Sequence, residues 1–333
     1  MEFGFMKPKI LRTDAELHIV ENALRDLRNI ADVVTTDSNN EETLAREAED
    51  ADLIITCYAG ITARVIESAR KLKGIVKYGV GVDNIDLEAA TMKGILVVNC
   101  PDYGSDTIAE HAFALMLCLA KKIIPVNKVM GEKAWIWPSP EFMGTDLLGK
   151  TLGLIGFGKI GRAMARKASA FGMKIIVYDP YVSADLVKEF DAEFVSLDTL
   201  LRRSDVVSIH CVLTPETREL IGGKEFRMMK KTAFLIDVSR GAIIDEEAML
   251  KALKENWIAG AGLDVFVNEP LMPGHPLLES DNVILTPHLA WHTKEAYERL
   301  ESETLQRTLE ILEGKIPPNI KNSEVLGNIN QTA

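Results

Sequence analysis

The feature that most limits how this 333-residue chain can fold is a repeated alternation of short runs rich in Val, Ile and Leu with stretches whose apolar residues recur at helical spacing. From the beginning, Lys9–Arg12, Ala31–Thr35, Leu53–Cys57, Gly74–Lys77 and Ile95–Asn99 read as strands. Glu16–Arg28, Glu41–Glu49, Ala63–Ala69 and Leu87–Met92 lie between them and read as helices. A second series follows Gly149, with strands over Thr151–Ile155, Lys174–Tyr178, Val206–Cys211, Ala233–Val238, Ala259–Asp264 and Val283–Thr286. Parallel strands need a long crossover, and a helix is the usual one, so each series predicts a parallel sheet with helices on both faces. Six strands in the second series suffice for a complete doubly wound unit.

The length exceeds what one hydrophobic core usually serves, so two cores are expected. The predicted fold class is α/β: a Rossmann-type doubly wound parallel sheet with a second, flavodoxin-like α/β domain. Between the two series, Thr107–Lys122 is helical, and a loop with Trp135, Trp137, Pro138 and Pro140 follows. Near the end, Thr293–Glu313 has helical periodicity and stops at Gly314, after which Pro317 and Pro318 forbid continuation. A net charge of −11 argues against a nucleic-acid partner, which needs a clustered basic face. No apolar run is long enough to span a bilayer, and the start lacks the apolar core of a secretion signal. Cys57, Cys100, Cys118 and Cys211 are scattered without CxxC spacing, so neither a disulfide framework nor a metal site is expected. A reduced, cytoplasmic setting fits.

Gly156-Phe157-Gly158-Lys159-Ile160-Gly161 directly follows an apolar strand and opens a helix over Arg162–Ala170. In that context the first glycine permits the tight turn. The second lets backbone approach a pyrophosphate, and the third allows close helix-to-strand packing. The next strand ends at Asp179, about 20 residues on, where a carboxylate accepts hydrogen bonds from an adenosine ribose. That charge repels a 2′-phosphate, and Pro180–Asp185 holds no Arg or Lys to bind one. The expected cofactor is therefore NAD(H).

Three further elements fall at the carboxyl ends of predicted strands, where ligands of open α/β sheets sit. They are Val238-Ser239-Arg240-Gly241, Asp264-Val265-Phe266 with Glu269-Pro270 shortly after, and Thr286-Pro287-His288. Arg240 offers a bidentate fork for a carboxylate, and His288 a proton for a carbonyl oxygen receiving hydride. Glu269 supplies a charge that favours and orients the imidazolium. These are the parts a 2-keto acid reductase needs.

With these motifs the sequence resembles the D-isomer-specific 2-hydroxyacid dehydrogenases over about Ile54 to Lys321. The resemblance rests on Gly79-Val80-Gly81-Val82-Asp83-Asn84-Ile85-Asp86, the stretch Thr151–Gly161, Val238–Asp245, Gly262–Phe266 and Thr286-Pro287-His288. It implies hydride transfer between NAD(H) and C2 of a small 2-hydroxy or 2-keto acid, with Arg240, Glu269 and His288 catalytic. It also implies that Gly79, Val80 and Gly81 present N–H groups to the substrate carboxylate. Asp264 would meet the nicotinamide carboxamide, and Cys211, Val238 and Ser239 would line its pocket. The terminal helix would cross back to the first domain. That makes 1–103 with 294–333 a discontinuous substrate domain and 104–293 the NAD-binding domain.

The resemblance leaves substrate identity open. Asp102-Tyr103-Gly104-Ser105 with Ile108-Ala109-Glu110-His111 is similar to D-lactate dehydrogenases, in which the Tyr touches substrate. Pro287-His288-Leu289-Ala290-Trp291 instead resembles glycerate dehydrogenases and NAD-sensing corepressors. Lys77, followed by Tyr78, stands where phosphoglycerate dehydrogenases commonly carry Arg, so it is a candidate ligand for a phosphate or carboxylate tail. The expected substrates are glyoxylate, hydroxypyruvate or pyruvate first and 3-phosphohydroxypyruvate second. An NAD-sensing binding protein is the reading from another class. A homodimer is expected because Thr107–Lys122 and the Trp135–Trp137 loop carry more apolar surface than solvent should see.

Overall fold

The computed structural model describes residues 7–15, 17 and 21–329. The chain divides into two compact units, one drawn from the stretch up to Gly104 and from Thr293 onward, the other from Ser105 to His292.

The first unit alternates β1 (Lys9–Arg12), α1 (Glu21–Leu27), β2 (Asp32–Thr35), α2 (Glu41–Ala48), β3 (Leu53–Thr56), α3 (Ala63–Ser68), β4 (Gly74–Lys77), α4 (Leu87–Met92) and β5 (Leu96–Asn99). Part of the helix expected over 16–28 lies outside the described residues. All five strands are parallel in the order β2-β1-β3-β4-β5, the flavodoxin order. Strands β3, β4 and β5 are buried at every position, as strands covered on both faces must be. Their side chains meet Leu44, Ile61, Val65 and Ile85 from the helices and loops in one apolar cluster.

The second unit begins with α5 (Ser105–Lys121) and α6 (Ile123–Lys133). It continues through β6 (Thr151–Ile155), α7 (Lys159–Ala170), β7 (Lys174–Tyr178), α8 (Ala184–Lys188), β8 (Ala192–Phe194), α9 (Leu197–Arg203) and β9 (Val206–Ile209). It closes with α10 (Gly223–Met228), β10 (Phe234–Asp237), α11 (Glu246–Lys254), β11 (Gly260–Leu263) and β12 (Val283–Leu285). The sheet is parallel, ordered β12-β11-β10-β9-β6-β7-β8. Strand order reverses between β6 and β9, as in the doubly wound dinucleotide-binding fold, and the crevice at such a reversal is where ligands bind. From Thr293 the chain rejoins the first unit as α12 (Lys294–Leu312), packed on α1 and β4, and α13 (Val325–Ile329).

Two expectations are corrected here. The second sheet has seven strands rather than six. The additional one, β8, is a three-residue edge strand with only Ala192 buried, too short to show a periodicity. The helix Thr107–Lys122 is not a bare apolar face, because α5 buries Ile108, Ala112, Phe113, Leu115 and Met116 within its own unit. A Cβ on Gly262 would stand 3.0 Å from Leu115 Cβ, so α5 lies directly on β11. The apolar surface left over belongs instead to α6, which buries no residue, and to the segment after it.

Candidate active site

The turn after β6 is built by glycine. Gly156 sits at φ 94°, and a Cβ there would come within 2.6 Å of the Cys211 amide nitrogen, so both the backbone angle and the contact exclude a side chain. Gly161 passes so close to the Gly156 carbonyl that a Cβ would lie 2.3 Å from its oxygen, whereas Gly158 has nothing within 4 Å of its Cβ position. The loop is thus locked on its inner side and open at Gly158, next to the first turn of α7. That is the space a pyrophosphate needs before unsatisfied helix N–H groups. The ring of Phe157 is core, and its N–H donates to Asp179 Oδ2 at 2.7 Å. Asp179 Oδ1 accepts from Tyr181 N at 2.9 Å, which fixes the carboxylate at the end of β7. Lys159 is exposed and Ile160 half-buried at the helix start.

At the carboxyl ends of β10, β11 and β12 the predicted catalytic residues lie together within this unit. His288 Nδ1 and Glu269 Oε2 are 2.7 Å apart. Glu269 Oε1 accepts from Phe266 N at 3.0 Å, so one carboxylate oxygen is anchored to backbone and the other aimed at the imidazole. Burial works to raise the Glu269 pKa. The bond and charge of His288, the Phe266 amide and the charge of Arg240 outweigh it and hold the carboxyl below its ordinary value. Arg240 is half-buried, with Nη1 donating to Ser239 O at 2.8 Å. Gly241 brings the two loops together: a Cβ there would stand 2.1 Å from the Phe266 carbonyl carbon. No side chain fits between the Arg240 and Glu269 loops.

Sequence reasoning missed the polar support beneath these residues. Asp237, fully buried at the end of β10, accepts from Ser239 N at 2.8 Å and Ser239 Oγ at 2.5 Å, fixing the turn that carries Arg240. Burial pushes its pKa up to about 7 against the bonds from Ser239 and the charge of Arg240, and the Asp264 carboxylate adds to the rise. Asp264 is also fully buried and accepts from Thr286, Leu289 and Ala290. Val238 is buried, Ser239 and Cys211 are half-buried, and burial raises the Cys211 thiol to about 12, so it is no nucleophile at neutral pH. Trp291 is buried, with its ring edge-to-face on His292.

The predicted substrate residues of the first unit form a second cluster, described by itself. Gly79, at φ 140°, spends its N–H on Lys77 O at 2.9 Å, while the amides of Val80 and Gly81 have no partner among the described residues. Lys77 is buried rather than solvated, and its ammonium donates to Cys57 O and to Asn84 Oδ1 at 2.8 Å. Asn84 in turn donates to Ala59 O at 2.7 Å, and Asn99 Nδ2 holds Val80 O at 2.5 Å. The Lys77 charge is therefore spent on bracing the loop. The Tyr78 ring is buried in this unit, and burial raises its hydroxyl pKa. Tyr103 is buried as well, its carbonyl accepting from Arg299 Nε at 2.7 Å.

Residues 113–290 match the family model described as D-isomer specific 2-hydroxyacid dehydrogenase, NAD binding domain. The chain belongs to this family. A glyoxylate reductase of Thermofilum pendens is 42% identical over 328 residues, covering 96% of each chain. A D-3-phosphoglycerate dehydrogenase of Methanocaldococcus jannaschii is 42% identical over 94% of this chain and 59% of that protein. Among solved structures, the D-lactate dehydrogenase from Aquifex aeolicus, complexed with NAD and lactic acid, superposes with a TM-score of 0.85. It is 32% identical and aligned over 94% of this chain and 99% of that one.

This member of the family is an NAD-dependent oxidoreductase, and its residues fit the cofactor. The open space above Gly158 and the carboxylate at Asp179 are the two features the dinucleotide requires.

Proposed function

We propose that the protein reduces a small 2-keto acid of the glyoxylate, hydroxypyruvate or pyruvate type to the D-2-hydroxy acid. Arg240 binds the substrate carboxylate, and His288 and Glu269 form the acid pair. The observation that carries this reading is the 2.7 Å contact between His288 Nδ1 and Glu269 Oε2, beside Arg240 and on the same sheet edge as the phosphate loop. With Nδ1 facing the carboxylate, a proton exchanged with substrate passes through Nε2. When bound, NADH would supply the hydride for C2. As the C2 carbonyl oxygen gains negative charge, His288 Nε2 gives it a proton and leaves a neutral imidazole, which regains a proton from solvent. Glu269 stabilises the charged imidazole before transfer. Within the second unit the Cys211, Val238 and Ser239 segments would line the nicotinamide pocket, and within the first unit the amides of Val80 and Gly81, without a partner among the described residues, are candidate donors to a carboxylate.

The relatives named as glyoxylate reductases support small substrates, and so does the position of Lys77, whose ammonium is committed to Cys57 and Asn84. A phosphorylated substrate, suggested by the phosphoglycerate dehydrogenase relative, would need a cation from elsewhere. The test is turnover: purified protein with NADH and a panel of glyoxylate, hydroxypyruvate, pyruvate and 3-phosphohydroxypyruvate. Fast NADH oxidation with the first three supports the reading. Preference for the phosphorylated acid overturns the substrate class, and binding without turnover favours an NAD-sensing protein.

The protein also acts as a homodimer in this reading. Ile123, Ile124, Trp135, Trp137, Met143 and Leu148 are exposed on α6 and the segment after it, with Trp137 79% exposed, and a second copy is the natural cover. All four cysteines are free, which fits a reducing cytoplasm. No helix of the described residues is long and apolar enough to cross a membrane.

A further inference from the structure

His288 sits in a backbone conformation that few side chains adopt, with φ 55°. What holds it there is Asp264. The Asp264 carbonyl accepts from His288 N at 2.8 Å, its Oδ1 from Leu289 N at 2.8 Å and Thr286 Oγ1 at 2.5 Å, and its Oδ2 from Ala290 N at 2.7 Å. Residues 286–290 are thus wrapped around one buried carboxylate. Thr286 makes one further contact: His111 Nε2, from α5, lies 2.9 Å from Thr286 Oγ1 and 3.7 Å from Asp264 Oδ1.

Counting protons gives this contact a direction. Thr286 Oγ1 donates to Asp264 Oδ1, so its single hydroxyl proton is spent there. The Thr286 oxygen is left with lone pairs toward His111, and His111 Nε2 must therefore carry the proton and donate. The chain of donors runs from His111 to Thr286 to Asp264, and the turn bearing His288 hangs from its end. We propose that His111 is a positioning residue for hydride-transfer chemistry, holding the His288 turn through Thr286 and Asp264. This deepens the reading above and rests on His288 being the acid. His111 touches neither His288 nor Glu269 in any hydrogen bond or ion pair of the described residues, so its effect travels through the turn.

The test uses the full-length enzyme with NADH and the best substrate of the panel. His111→Leu removes the donor and should lower kcat by about tenfold or more, the usual consequence of displacing a catalytic group by a fraction of an ångström, with KM for the keto acid little changed. His111→Gln, whose amide nitrogen reaches as far as the imidazole Nε2 and carries a proton at every pH, should recover most of that loss. Thr286→Val keeps the shape and cuts the relay, so it should lower kcat similarly. The His111→Leu, Thr286→Val double variant should be no worse than the worse single one, because both break the same chain. Thermal melts identify any variant that has not folded, and His111→Gln and Thr286→Val carry the test if His111→Leu is among them. His288→Ala separates the two levels of argument. If it retains wild-type rate, the assignment of His288 fails. If it is inactive while His111→Leu keeps wild-type kcat, the Gln variant rescues nothing, or the double variant is additive, the positioning role of His111 is overturned.

Discussion

Asp237 should destabilise the protein at neutral pH, and Asp237→Asn should reveal by how much. The carboxyl is fully buried, its Oδ1 is occupied by the Ser239 amide and hydroxyl, and its Oδ2 has no hydrogen-bond partner among the described residues. Burial raises its pKa from 3.8 to about 7. At about 1.4 kcal/mol per pH unit, that step is worth about 4 kcal/mol. The sign follows from proton binding: between the two values the folded state holds a proton that the unfolded chain has released, so stability falls as pH rises through that window. Above about pH 7 the full penalty applies, and below about pH 4 it is gone. Asparagine keeps the oxygen that Ser239 needs and is never charged. Its buried NH₂ replaces Oδ2 at a cost of about 1–3 kcal/mol, leaving a net gain of about 1–3 kcal/mol at pH 8. The more decisive quantity is the change with pH, since the amide cost is the same at every pH. The advantage of the variant should shrink by about 2–3 kcal/mol between pH 8 and pH 5. Urea denaturation of cofactor-free protein at the two pH values measures it. An advantage that stays constant, or one that grows on acidification, would refute the reasoning.

The remaining predictions concern the site and the assembly. NADH should bind at least about tenfold more tightly than NADPH by fluorescence titration, and Asp179→Ala should narrow the gap; equal affinities for the wild type would contradict the role of Asp179. His288→Ala should lose roughly 10²- to 10⁴-fold in reductive rate while NADH affinity barely moves, and a wild-type rate would remove His288 from the mechanism. Glu269→Gln keeps the shape and removes the charge that faces His288 Nδ1, so reductive kcat/KM should fall by roughly tenfold or more; an unchanged value would show that the pair is not coupled. Light scattering at micromolar concentration should give twice the chain mass, with Trp137→Glu weakening the association, whereas a monomeric wild type would mean that α6 is simply solvated.

Much of this was readable because the fold repeats one physical solution. Strands covered on both faces must be largely apolar, which is why the stretches 53–55, 74–76 and 96–98 stand out as runs without needing alternation. The phosphate loop was readable for a different reason. It works through backbone, and backbone that must turn at positive φ or pass within contact distance of its neighbour leaves glycine as its signature. Strand β8 had no such signature, since three residues at a sheet edge with Glu193 and Phe194 exposed impose no pattern. Helix α6 was hidden because the helical stretch Thr107–Lys122 reads as ending at Lys121 and Lys122, with a loop after it. The structure places Lys122 at φ 52° and starts a new helix one residue later.

Side chains that act through other side chains were the hardest to see, and the reason is distance along the chain. His111 and Thr286 are 175 positions apart, and neither lies in a motif whose spacing depends on the other. Lys77 shows the same blindness in reverse. As the last residue of a strand it reads as a ligand for an anion or, as is more common there, a solvated cation, and only the fold brings Cys57 O and Asn84 Oδ1 to its ammonium. Asp237 is one residue from a recognisable motif, yet nothing in Asp237-Val238-Ser239 announces that the carboxylate makes no ion pair among the described residues and takes its bonds from a serine two positions on. The groups expected to meet cofactor and substrate are thus held to a sequence pattern by the shape of what they bind. The buried groups that hold them answer only to local packing. His288, the proposed acid, sits at positive φ where the two meet: the motif Thr286-Pro287-His288 marks it in the sequence, but nothing there marks the Asp264 carboxylate that its turn wraps or the distant His111 imidazole beside Thr286.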